Sequence, residues 1–97
     1  MRNACYLFFE TLATKLKADI ITALKGNPLT VNELSRQLKQ ERSKVSHALI
    51  SLRECGFVEF KKEGRNRIYS LNKKTILPLL NLVEKHVKRY CKICRKS

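Results

Sequence analysis

The sequence predicts a mainly helical α+β domain containing one β-hairpin. Three observations predict it. Apolar residues recur at helical spacing in four blocks up to Leu52, turn-forming residues separate the blocks, and the hydrophobic period changes from about 3.6 to 2 directly after Gly56. A further helical block follows from Asn72. The expected order is four helices, a hairpin and a closing helix, in a single domain over residues 1–97.

From Ala4 to Lys25, the residues Leu7, Phe8, Leu12, Leu16, Ile20, Ile21 and Leu24 fall on helical spacing. Two helices are expected here, with a break near Ala13–Thr14 and a stop at Gly26-Asn27-Pro28. Thr30 opens the third helix. It stands three residues before Glu33, so its hydroxyl can accept the Glu33 amide proton while the carboxylate accepts the Thr30 amide proton. Leu34 and Leu38 mark the buried face of this helix, and Lys39-Gln40-Glu41 form a polar turn. The fourth helix runs from about Arg42 to Cys55, with Val45, Ala48, Leu49 and Leu52 inward and Gly56 as its stop. Phe57, Val58 and Phe60 then form one strand and Ile68, Tyr69 and Leu71 another, around a polar tip from Lys61 to Arg67. The last helix carries Ile76, Leu79, Leu80, Val83, Val87 and Tyr90 on one stripe, and Pro78 suits its first turn.

Charge narrows the function. Twenty-one Lys and Arg against eight Asp and Glu give a net charge of +13, a field that attracts polyanions, nucleic acid first. Excess charge also serves solubility, so charge alone does not decide. No apolar run approaches the roughly 18–20 residues needed to span a bilayer, and the N-terminus lacks a signal-peptide pattern. Cys5, Cys55, Cys91 and Cys94 are too few and too unevenly placed for a disulfide scaffold. A cytoplasmic protein without a membrane partner is expected. A chain this short buries only about 60–65% of its unfolded surface, so self-association is expected as well.

Residues 30–55 hold two short helices joined by a tight turn, the arrangement of a helix-turn-helix, whose second helix enters the major groove. The early part of that helix offers Arg42, Ser43, Lys44, Ser46 and His47, donors suited to base edges and phosphates, interrupted only by Val45. The hairpin, residues 57–71, follows as a wing. Its Lys61, Lys62, Arg65 and Arg67 form a cationic tip suited to the DNA backbone or a minor groove. The bland alternative for both sets is a solvated surface. Lys15 and Lys17 are candidates for phosphate or for solvent alone.

The stretch from Val45 to Val58, followed by Lys62-Glu63-Gly64-Arg65 and Tyr69-Ser70-Leu71, resembles the recognition helix and wing of the ArsR/SmtB transcriptional regulators. The resemblance reaches back through Phe9 to Ala13 and Pro28 to Leu34, and covers roughly residues 7–90. It implies a winged helix-turn-helix that binds palindromic double-stranded DNA as a homodimeric repressor, paired through the first and last helices. The residues expected at that pairing surface are Leu7, Phe8, Ile76, Leu80, Val83 and Val87, with the C-terminal helix spanning about 74–92. The chain departs from the family pattern at Gln40 and Glu41, where a small turn residue and a Ser cap are usual. The third helix contains no Cys and the last helix lacks the family's Asp/His arrangement for zinc, so an inducer cannot be carried over.

Cys55 is expected as a packed thiol, and Cys5 as an inert one. Cys91 and Cys94, spaced i, i+3, would share a helix face and could hold zinc or another thiophilic metal, pair across a dimer, or be idle. Lys88, Arg89, Lys92, Arg95 and Lys96 around them are expected to lower the thiol pKa values. An enzyme fits worst: two histidines and eight carboxylates supply no triad or phosphate loop, and no small-molecule substrate is implied. The rivals to a specific regulator are a winged-helix protein-interaction module and an architectural DNA-binding protein without sequence preference.

Overall fold

The computed structural model describes residues 3–95. The side chains of Cys5 and Arg95, and Lys96 altogether, lie outside the described residues. Among those described, the elements run α1 (Asn3–Leu12), α2 (Lys15–Gly26), β1 (Leu29–Thr30), α3 (Val31–Leu38), α4 (Arg42–Glu54), β2 (Val58–Glu63), β3 (Asn66–Leu71), α5 (Ile76–Tyr90) and α6 (Lys92–Arg95). The mainly helical order expected from the periodicity is present, with a sheet of three antiparallel strands in the order β1-β3-β2.

Four helix boundaries have a clear local cause. Thr14 caps α2 by accepting the Lys17 amide proton. Thr30 caps α3 through the full reciprocal box: Glu33 N donates to Thr30 Oγ1 at 3.2 Å, and Thr30 N donates to Glu33 Oε1 at 2.9 Å. The Thr30 amide first, and then the Thr30 hydroxyl, hold the Glu33 carboxyl below its ordinary value. Lys39, in the left-handed region at φ 55°, closes α3, with Gln40 N reaching back to the Ser35 carbonyl. Gly56, at φ 80°, closes α4 in a Schellman arrangement. Its amide donates to the Arg53 carbonyl at 2.9 Å, and the Phe57 amide to the Leu52 carbonyl at 2.9 Å.

The core gathers Ile20, Ile21 and Leu24 of α2, Leu34 of α3, and Val45, Ala48, Leu49 and Leu52 of α4 against Phe57, Val58, Tyr69, Leu71 and Ile76. The short β1 was not anticipated. Its two residues pair with β3, Leu29 with Tyr69 and Thr30 with Ile68, and so tie the entrance of α3 to the hairpin. Asn72 is a second unanticipated tie. Its Oδ1 accepts the Lys74 and Thr75 amides ahead of α5, while its Nδ2 donates to the Gly56 carbonyl at 3.0 Å. The exit of α4, the exit of the wing and the start of α5 thus meet at one side chain.

Three expectations are corrected. The polar tip is much shorter than residues 61–67: the strands continue to Glu63 and Asn66, leaving Gly64 and Arg65 as a two-residue turn. Gly64 takes φ 63°, as a two-residue hairpin with glycine first requires. The last helix does not run on through the cysteines. It ends at Tyr90, Cys91 is extended at φ −94°, ψ 98°, and the single turn α6 follows. Cys55, expected to be packed, is exposed, with its sulfur 3.4 Å from Thr11 Oγ1 on α1.

Candidate nucleic-acid interface

On α4 the buried residues Val45, Ala48, Leu49 and Leu52 occupy one stripe. At about 3.6 residues per turn, Ser43, His47, Ile50 and Glu54 line the opposite face. All four are exposed. Arg42, Ser46 and Arg53 fall on the flank toward the wing, and Lys44 and Ser51 on the flank toward α2. Of the residues singled out from sequence, Arg42, Ser43, Lys44 and His47 are exposed, whereas Ser46 is half-buried on the wing side. Glu41 occupies the N-cap without a side-chain hydrogen bond to the helix.

Basic side chains converge on both flanks. Toward the wing, a cleft of about 170 Å³ is bordered by Arg42, Arg65, Asn66 and Arg67 together with Asn32 at the start of α3. Toward α2, an open groove of about 580 Å³ runs between Thr14 and Lys17 on one side and Lys44, His47 and Ser51 on the other. Lys17 is therefore brought to the exposed face of α4. Lys15 is engaged with Asp19 at 2.9 Å.

Strand parity divides the wing's cations, which sequence reasoning treated as one cluster. Val58 pairs with Leu71, Phe60 with Tyr69 and Lys62 with Arg67, so these pairs share a face. Val58, Leu71 and Tyr69 are buried, which makes this the inward, α4-facing side. Lys61 pairs with Ile68 on the other side, and Arg65 sits in the turn. Two like charges directly opposite are unfavourable in a sheet unless an anion lies between them. Lys62 and Arg67 form such a pair. Arg53 was missed from sequence, although it lies eleven residues beyond Arg42, three helical turns along the same flank. Its guanidinium lies 4.4 Å from the Phe60 ring centroid, and that of Arg67 lies 4.7 Å from it.

The expected pairing surface divides in the same way. Phe8 packs on Phe57 at 4.9 Å, Ile76 belongs to the protomer's own core, and Leu80 packs against that core. Leu7 is exposed at 53% and Val83 at 47%, while Val87 is half-buried. On the terminal helices, Phe9 of α1, Leu82 of α5 and Ile93 of α6 are further exposed apolar residues. The stripe of α5 is thus covered by its own chain near Ile76 and left exposed at Val83. Lys25 of α2 and Glu84 of α5 form an ion pair across this junction.

Cys91 and Cys94 are brought together across the break, the Cys94 amide donating to Cys91 Sγ at 3.4 Å. The basic neighbours do not lower the Cys94 thiol pKa. Its hydrogen bond with Cys91 raises it, followed by burial and the charge on Cys91. No group of three or more metal-ligating side chains occurs among the described residues, and no described helix is long and apolar enough to cross a membrane.

Residues 14–59 match the family described as "Bacterial regulatory protein, arsR family". The HTH-type transcriptional regulator NmtR of Mycobacterium tuberculosis is 38% identical over 72 residues, covering 74% of this chain and 60% of that protein. The transcriptional repressor SmtB homolog of Synechocystis sp. is 34% identical over 80 residues, 82% of this chain and 61% of its own length. The chain therefore spans about three-fifths of the length of these curated relatives. The crystal structure of M. tuberculosis Rv0081 superposes with a TM-score of 0.78 at 32% identity, covering 84% of this chain and 83% of that one.

Proposed function

This chain belongs to the bacterial arsR family of regulatory proteins, and from that premise we propose that it is a sequence-specific DNA-binding transcriptional regulator acting as a homodimer in the cytoplasm. The observation that carries the reading is the placement of α4: its polar face is exposed, and basic groups converge from the wing on one side and from Lys17 on the other. In this reading α4 lies in the major groove. Ser43, Lys44 and His47 meet base edges, while Arg42, Lys62, Arg65 and Arg67 meet phosphates or an adjacent minor groove. Ser46, half-buried, contributes at the rim.

The uncovered parts of α1 and α5, with Leu7, Phe9, Leu82 and Val83, support pairing of two chains. Repression is the proposed mode, supported by the naming of the Synechocystis relative as a transcriptional repressor. Within one chain, Cys91 and Cys94 do not supply the four ligands that structural zinc takes. A thiophilic ion would draw a Cys91–Cys94 pair from each chain, so zinc titration should count at most one ion per dimer.

The test is affinity for random and selected duplex DNA over a salt series. A linear fall of log affinity with log salt, with selected DNA tighter than random by at least about a thousandfold, supports a specific regulator. Steep salt dependence without selectivity indicates architectural binding. No DNA binding at low salt transfers the basic surface to an acidic protein partner and defeats the reading.

A further inference from the structure

Ile50 is out of keeping with the face it occupies. It lies on the exposed line of α4 one turn beyond His47 and two beyond Ser43, flanked by Arg53 and Glu54, and it remains 54% exposed. The other residues on that line, Ser43, His47 and Glu54, are all polar or charged. A β-branched apolar side chain there gains neither helix propensity nor core contact. Beside it is a cleft of about 340 Å³, whose other walls are Arg53, Glu54, Arg67 and Tyr69. The rim is cationic on one side, and its floor includes the buried Tyr69 ring. The chemistry that fits is a small apolar group carried by a polyanion.

Duplex DNA presents one such group in the major groove, the C5-methyl of thymine. Resting on the proposed DNA-binding role of α4, we infer that Ile50 is a specificity-determining residue that packs against a thymine methyl in each half-site. Ser43 and His47 read the neighbouring pairs by hydrogen bonds, and Ile50 adds discrimination that those donors cannot supply. A uracil presents the same carbonyl and lacks only the methyl, so the contribution is isolated by one carbon atom. Burying one methyl corresponds to about a fourfold gain in affinity per half-site, hence about fifteenfold over a symmetric site.

The test uses duplexes selected from a random pool by the full chain, each then prepared with thymine or with deoxyuridine at one symmetric pair of thymine positions at a time. The protein is compared with Ile50→Ala, which lies on an exposed helix face and favours the helix, so that folding is retained and is checked by circular dichroism. The expected result, at one such pair, is about a fifteenfold preference of the unmodified chain for the thymine duplex, reduced to less than about twofold in Ile50→Ala. Equal binding of both duplexes by the unmodified chain at every pair overturns the inference, as does a thymine preference that survives the substitution. In either case selective binding to the pool still upholds the DNA-binding reading. Failure to bind any duplex defeats both.

Discussion

The Arg53 guanidinium lies 4.4 Å from the centroid of the Phe60 ring, joining the last turn of α4 to the first strand of the hairpin. Arg67 approaches the same ring at 4.7 Å, and Tyr69 packs on it at 5.4 Å. Phe60 is therefore the point at which the reading helix and the wing hold a common orientation. Cation–π contacts at exposed sites contribute about 0.5–1 kcal/mol each.

Phe60→Leu keeps an apolar side chain but removes the ring. The expected outcome is a stability loss of about 1–2 kcal/mol in denaturant melts. Faster amide exchange along Val58–Glu63 and weaker binding to selected DNA should accompany it. Arg53→Gln should reproduce the exchange effect with a smaller loss of stability. Unchanged exchange in both variants would mean that the ring does not set the wing's orientation.

The wing should show a parity effect. Neutralising Lys62 and Arg67 together, as Lys62→Gln and Arg67→Gln, should flatten the log affinity against log salt slope by up to about 2 units, on specific and random DNA alike. Lys61→Gln, on the opposite face, should change it by much less. Equal effects of Lys61 and Lys62 would show that strand face does not decide which cations meet the backbone.

How far this architecture is legible in the sequence depends on whether a signal is local. The Thr30–Glu33 box, the stop at Gly56 and the alternation after it each announce themselves within a few residues, and the structure contains all three. The two-residue β1 is invisible because its partner, β3, is some forty residues away. Asn72 carries no short-range sign that its amide will reach the Gly56 carbonyl. The apolar stripe of α5 was read as one surface. Period alone cannot say that Ile76 and Leu80 cover their own core while Val83 does not. Arg53 and Ile50 were within reach, since helical spacing places them beside Arg42 and His47. The Cys94 thiol answers first to the Cys91 side chain across a helix break, against which counting nearby cations had no force.

Acid should destabilise the protein through its helix cap. The Glu33 carboxyl is held below its ordinary value of 4.5, first by the Thr30 amide and then by the Thr30 hydroxyl. Its folded pKa is thus lower than its unfolded one. The associated stability is fully present above the unfolded value and is lost as pH falls through the folded value. Glu84, lowered by its bond to Lys25, acts in the same direction. Melts between pH 7 and pH 3 should fall less steeply at the acid end for Glu33→Gln than for the unmodified chain. Thr30→Ala should cost about 1 kcal/mol near neutral pH. A Glu33→Gln profile parallel to that of the unmodified chain would contradict the capping account.

Selection from a random duplex pool tests most directly the claim that a dimer presents two α4 helices to DNA. The full chain is equilibrated with the pool near physiological salt, and the retained sequences are read. The account predicts enrichment of a palindrome whose half-sites lie about 34–36 Å apart, centre to centre. Ser43→Ala with His47→Ala should erase that enrichment while leaving the fold intact. A retained pool with no sequence in common, or enrichment unchanged in the double variant, would contradict the account.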